Sequence, residues 1–156
     1  MILEEMPKGV DFFNATVCMI FFKDGRTIIL QKRLDHPIYP GKWGFPAGKV
    51  KPTDTSIATA TLREVQEETG NIYEASDLIG PIVVPAKHQK MDGQDFYFYA
   101  FIFGIRSENG FRVKLDEAEH KSSLIVPWRN VLKTQERYLI PDAQETLILF
   151  RKKYRL

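Results

Sequence analysis

The chain is expected to fold as an α+β protein, an α/β/α sandwich around a mixed β-sheet. Three observations point there. Two runs that are nearly continuous in apolar residues, 15–22 and 27–33, flank the turn Lys23-Asp24-Gly25-Arg26, so they read as a hairpin in a sheet covered on both faces. The stretch 56–69 carries Ala58, Leu62 and Val65 as an apolar stripe at helical spacing. Further strand-like segments precede, flank and follow that helix without a regular βαβα alternation, the pattern of helices laid on a mixed sheet.

Each element has its own signal. Between the hairpin and the helix, residues 34–46 hold Pro37, Pro40, Gly41, Gly44 and Pro46, with Tyr39, Trp43 and Phe45 among them, and read as loop. Ser56 suits the N-cap of the helix and Gly70 the left-handed residue just past its end. Strands are predicted over 78–86 and 95–105, with Met91-Asp92-Gly93 near the turn between them and Ser107-Glu108-Asn109-Gly110 as the next turn. The second of these strands is densely aromatic. Strand alternation puts Tyr97 and Tyr99 on one face and Phe96 and Phe98 on the other, so one face is core and the other is available to line a cleft. A short strand over 124–128 and a final amphipathic helix over 142–153, introduced by Pro141, complete the reading.

Composition sets the frame. The chain has 156 residues, 44% hydrophobic and 27% charged, which fits a single globular domain over 1–156 with a real core. A formal net charge of +2 gives no electrostatic basis for nucleic acid or a membrane as a bulk partner. The expected partner is a small molecule bound by a monomer or homodimer. One cysteine, Cys18, excludes an internal disulfide framework and points to a reducing compartment; its place in an apolar run makes it a buried, inert thiol. The first residues, MILEEMPKG, lack a basic-then-apolar leader pattern, and no apolar stretch is long enough to span a bilayer, so a cytoplasmic setting is expected.

The chemistry concentrates in Arg63-Glu64-Val65-Gln66-Glu67-Glu68-Thr69-Gly70. On a helix, Glu64, Glu67 and Glu68 stand at i, i+3 and i+4, so three carboxylates share one face and repel one another. A hard divalent cation turns that repulsion into coordination and keeps positions open for water and phosphate oxygens. An arginine beside the cluster can hold one carboxylate in place by charge-assisted bonds.

Together with Gly48 and the lead-in Trp43-Gly44-Phe45-Pro46-Ala47-Gly48-Lys49-Val50, this segment resembles the Nudix box, G-x5-E-x7-R-E-U-x-E-E-x-G-U, where U is a bulky aliphatic. The R-E-U-x-E-E-x-G half matches at every specified position. The loop half is one residue longer than the pattern, and Asp54 is its nearest acidic substitute for the first glutamate, with Thr55 in that place when counting back from Arg63. Asn71 replaces the final aliphatic, and Ile72 is expected to fill that packing site. The resemblance implies a metal-dependent pyrophosphohydrolase. Glu64, Glu67, Glu68 and the Gly48 carbonyl would bind Mg²⁺ or Mn²⁺, and Arg63 would orient a glutamate. Water at the metal, deprotonated with help from a glutamate, would attack a diphosphate bridge. Glu119, in a Glu119-His120 pair ahead of a late strand, resembles the base that many members keep outside the box; Glu67 and Glu68 are the alternatives, and Glu117 is a near neighbour. The size and the PGKWGFPAGKV lead-in look most like the branch acting on (d)NTPs, oxidised ones included. Dinucleoside polyphosphates and ADP-ribose follow, the latter on the placement of Pro85, and capped RNA comes last. A nucleotide-binding sensor without catalysis is the rival of another class, and loss of metal ligands would mark it.

Five residues are candidates for contact with substrate: Arg33 and Lys49 for phosphate, Trp43 and Phe45 for stacking on a base, and Tyr97 for lining the cleft. The competing readings are an exposed strand-end charge for Arg33 and an aromatic plug of the core edge for Tyr39, Trp43 and Phe45. His36, His88 and His120 show no metal-ligand spacing and are read as surface or cleft residues.

Overall fold

The computed structural model describes residues 11–91, 93–108 and 112–156. Part of the turns predicted at 91–93 and 107–110 lies outside the described residues, as do the side chains of Pro85, His88 and Phe96. In chain order the elements are β1 (Asp11–Phe22), β2 (Arg26–Lys32), β3 (Trp43–Gly44), β4 (Ala47–Lys49), α1 (Ile57–Thr69), β5 (Leu78–Met91), β6 (Gln94–Ser107), β7 (His120–Pro127), α2 (Trp128–Lys133) and α3 (Ala143–Tyr154).

The sheet is mixed. β1 runs parallel to β6 in unbroken register from Asp11↔Phe96 to Phe22↔Ser107, and the other pairings between these strands are antiparallel. β1 and β2 meet at Phe21↔Thr27 beside the Gly25 turn and then take different partners. Further along, β1 pairs with β4 through Ala15↔Lys49, Thr16↔Gly48 and Val17↔Ala47. β2 pairs instead with β3 and β7. This divergence leaves β4 and the start of β7 on neighbouring parts of one sheet, where the carboxylates collect.

Alternation along β1 explains why its apolar run is continuous. Cys18, Ile20 and Phe22 join Val65 of α1 and Phe103 and Ile105 of β6 in one core. Met19 and Phe21 join Ile102, Leu147 and Phe150 in the other, under α3. Both faces are buried, as the hairpin sequence predicts. The Thr16 and Thr61 hydroxyls hydrogen-bond each other, tying α1 to β1 beside the β4 pairing.

Four local expectations are corrected. The region 34–46 is not all loop, because Trp43 and Gly44 form a two-residue strand against Gln31 and Leu30. The late strand begins at His120, and Trp128 opens a helix after Pro127. Ile72 does not fill a packing site, since it is 75% exposed. Phe45 is 7% exposed within the α3-side core, so it plugs the core and is not free to stack on a base.

Candidate active site

The box folds as a short loop leading into a capped helix. Ser56 adopts an extended N-cap conformation, and its hydroxyl accepts from the Thr59 N–H at 3.0 Å. Gly70 ends the helix at φ 78°, donating its N–H to the Gln66 carbonyl, and a Cβ there would lie 2.7 Å from Lys114 Cβ. The rotation of α1 puts Glu64 and Glu68 inward, at 7% and 1% exposure, while Glu67 stays exposed.

Gly48 of β4 lies directly against the Glu64 carboxylate. A Cβ at this position would stand 2.2 Å from the Glu64 carboxyl carbon, so only glycine lets the strand and the carboxylate come this close. Next to it, the Ala47 N–H donates to Glu68 Oε2 at 2.9 Å.

Arg63 is held on one side and holds on the other. Its Nε and Nη2 each donate to Asp54 at 2.9 Å, a two-pronged pair, and Nη1 donates to Glu64 Oε1 at 2.9 Å and Glu67 Oε2 at 3.2 Å. The Lys49 carbonyl accepts a further bond from Nη2 at 3.1 Å. Asp54 also accepts from the Lys51 N–H at 2.7 Å, which closes the loop into a tight turn. The Arg63 guanidinium, followed by the Lys51 N–H, pulls the Asp54 carboxyl down to about 2. Thr55, the other candidate for that place in the pattern, has its hydroxyl against Thr59.

Glu119, in the turn just before β7, and His120, the first residue of β7, complete the constellation. Ligand atoms of Glu68, Glu119 and His120 lie within 4.8 Å of one another. Lys32 Nζ donates to Glu119 Oε1 at 2.9 Å, and His36 Nε2 lies 3.8 Å from the same oxygen. A register shift in the β2–β7 pairing at Gln31/Lys32 sets Lys32 opposite His120 and brings Lys32 to the cluster. His120, expected at the surface or in a cleft, is 3% exposed, and burial followed by the Lys32 charge lowers it to about 4, so it is neutral near pH 7.

Electrostatics divide the carboxylates. Burial raises Glu64 above the usual range, with Arg63 partly offsetting it. Burial raises Glu68 much further, and the nearby Glu119 and Glu64 charges add to it. Burial also disfavours the Glu119 anion, but the Lys32 bond and charge outweigh it and keep Glu119 ionised. Glu68 Oε1 is buried with no hydrogen-bond partner among the described residues. An unpaired buried acceptor among like charges is costly by itself and well suited to a cation. The oxygen-rich donor set fits a hard divalent ion.

The remaining candidates lie around this centre. Arg33 is exposed, pairs with Asp35 at 2.9 Å and donates to the Glu117 carbonyl at 3.0 Å. With Lys121 and His120 it lines a cleft of about 490 Å³. Lys49 Nζ sits 4.5 Å from the Phe13 ring centroid. Trp43 is half-buried and packs on the core from β3. Tyr97 is half-buried on β6, and Phe98 on the opposite face stacks on Phe13 at 5.1 Å. Sequence reasoning missed Lys32, whose position depends on the register shift; it placed His120 at the surface or in a cleft, and His120 lines this cleft while being almost fully buried.

Comparison with known proteins places the fold in a family. The family model for the NUDIX domain matches residues 12–147. The chain belongs to the Nudix family. Among solved structures, the Nudix fold recurs in a MutT protein from Methanosarcina mazei, at TM-score 0.72 and 21% identity over 96% of this chain and 100% of that one. The NUDIX domain of Shewanella oneidensis NrtR, solved in complex with ADP ribose, superposes at TM-score 0.72 and 16% identity, covering 97% of this chain and 94% of that one. In sequence, a Caenorhabditis elegans protein described as a nudix hydrolase is 32% identical over 91 residues, 58% of this chain and 21% of that protein. The Nudix hydrolase NudL of Enterobacter sp. (strain 638), which is uncharacterised, is 41% identical over 54 residues, 34% of this chain and 28% of that one. The matches therefore span less than a third of these two curated relatives. Among the described residues, no helix is long and apolar enough to cross a membrane.

Proposed function

We propose that the chain is a Mg²⁺- or Mn²⁺-dependent pyrophosphohydrolase that cleaves the anhydride bridge of a nucleoside diphosphate derivative, with (d)NTPs and oxidised (d)NTPs as the first substrate class. The observation that carries this reading is the gathering of Glu68 and Glu119, with ligand atoms within 4.8 Å beside His120, and the nearby Glu64 charge, about a Glu68 Oε1 that has no hydrogen-bond partner among the described residues. The (d)NTP preference rests on the sequence of the lead-in loop. A single domain working in the cytoplasm as a monomer or homodimer, without nucleic acid, belongs to the same reading.

In this mechanism Glu64, Glu67, Glu68 and the Gly48 backbone would hold the metal. When bound, the ion neutralises phosphate charge and lowers the pKa of water. Arg63 fixes the Glu64 carboxylate, and Asp54 fixes Arg63. Lys32 occupies Glu119 Oε1 and keeps the group ionised, which leaves Oε2 to take a proton from the attacking water. The retained helix carboxylates favour catalysis over a sensor that only binds nucleotide.

The test is a nucleotide panel with Mg²⁺ or Mn²⁺, scored by product identity and including dinucleoside polyphosphates and ADP-ribose. Turnover is expected to release a nucleoside monophosphate and to vanish in Glu67→Gln. Tight binding of one panel member with no turnover of any would establish the sensor instead. Glu119→Gln is expected to lower kcat by about 10²–10⁴-fold with a smaller change in KM. An unchanged kcat would remove Glu119 from the mechanism.

A further inference from the structure

A second charged cluster lies at the far end of the sheet. Lys32, beside the carboxylates, and Arg26 stand at opposite ends of β2, roughly 20 Å apart along the strand. At the Arg26 end, a cleft of about 350 Å³ is lined by Lys23, Arg26, Arg106, Trp128 and Arg151 among others. Arg129 joins them, since the guanidinium carbons of Arg151 and Arg129 lie 3.5 and 4.6 Å from the Trp128 ring centroid.

Two of these cations are already neutralised. Lys23 pairs with Glu108 at 2.6 Å and Arg26 with Asp24 at 2.7 Å. Among the described residues no ion pair engages Arg106, Arg129 or Arg151. The plain explanation, that a helix C-terminus favours cations, accounts for the exposed Lys152 and Lys153 of α3. It does not account for Arg151, which is half-buried against Trp128 and beside another guanidinium. Burial, and then the Arg129 charge, lowers the affinity of Arg151 for its proton. Arg106 and Arg151 line the cleft and Arg129 lies next to it on Trp128; among the described residues none of the three is in an ion pair, and their planar forks of donors match phosphate oxygens. The Trp128 ring already carries both guanidiniums, so recognition falls on charge rather than on stacking against that ring.

We propose that this cleft is a second anion site, separate from the carboxylate centre, that binds the phosphate chain of a di- or triphosphate compound. The chain can come from inorganic polyphosphate or from a nucleotide.

Calorimetric titration of the full chain with inorganic tripolyphosphate tests it, with the same titration on Glu67→Gln, Arg106→Gln and Arg151→Gln. Binding should persist in Glu67→Gln and weaken by about tenfold or more in each arginine variant. Arg106 is exposed, so Arg106→Gln keeps the test decisive if Arg151→Gln perturbs packing. A non-hydrolysable nucleoside triphosphate should show the same arginine-dependent component with a similar Kd. Loss of tripolyphosphate binding in Glu67→Gln with none in the arginine variants would place the anion at the carboxylates and overturn the proposal. Equal binding of citrate would reduce the cleft to an unselective cationic patch, and binding of the nucleotide alone would refute recognition of the phosphate chain.

Discussion

Asp54 has a shorter side chain than the glutamate of the box pattern, and the loop that carries it is one residue longer. The two departures compensate, because the turn closed by Lys51 delivers both Asp54 oxygens to Arg63. A group that positions another residue typically changes metal affinity or activity by about 10–100-fold when removed, and Asp54→Asn is expected to fall in that range, measured as kcat against Mg²⁺ concentration. The pH dependence has a definite sign. The folded carboxyl, at about 2, lies below its ordinary 3.8, so its contribution to stability is complete above the ordinary value and is lost as pH falls toward 2. The Tm gap between the native chain and Asp54→Asn should hold steady near neutral pH and close on acidification through that window. A gap that stays constant down to pH of about 2 would show that the carboxylate charge does not support the loop.

At the scale of elements, α1 was readable because its caps and its stripe are local. Ser56, Val65 and Gly70 announce a helix whose observed bounds are Ile57–Thr69. Ser56→Ala should cost about 1 kcal/mol in chemical denaturation, and Gly70→Ala more, because the φ of 78° and the Lys114 contact both penalise a side chain. If Gly70→Ala matched Ser56→Ala, the Lys114 contact would carry no weight. Other elements were less legible for physical reasons. Two- and three-residue strands such as β3 and β4 are too short to show a period, and they form because β1 and β2 offer free edges. β5 outruns its apolar segment, since its pairing with β6 continues to Met91↔Gln94. In the site, Glu119 was found through its neighbour in a familiar motif. Lys32 was not, because the register shift that brings it to Glu119 joins residues 87 positions apart.

At the scale of the whole molecule, β1 and β6 supply side chains to both cores, so the α1 face and the α3 face share a backbone but not a packing layer. The carboxylate centre is built from α1, β4, the loop before α1, the Lys32–Glu119 pair and the neighbouring His120 and His36, with no group from α3. A cavity on the α3 face should therefore lower stability without altering the chemistry. Leu147→Ala, at a fully buried position, is expected to cost about 2–5 kcal/mol, or roughly 5–15 °C in Tm for a chain of this size. Shared strands predict that melting stays a single transition by far-UV circular dichroism and by tryptophan fluorescence. Well below the lowered Tm, Mg²⁺-dependent kcat per folded molecule should match the native chain. A depressed kcat at that temperature would mean that packing under α3 reaches the carboxylates through β1, most directly through Thr16, whose hydroxyl meets Thr61 of α1 and whose backbone pairs with Gly48.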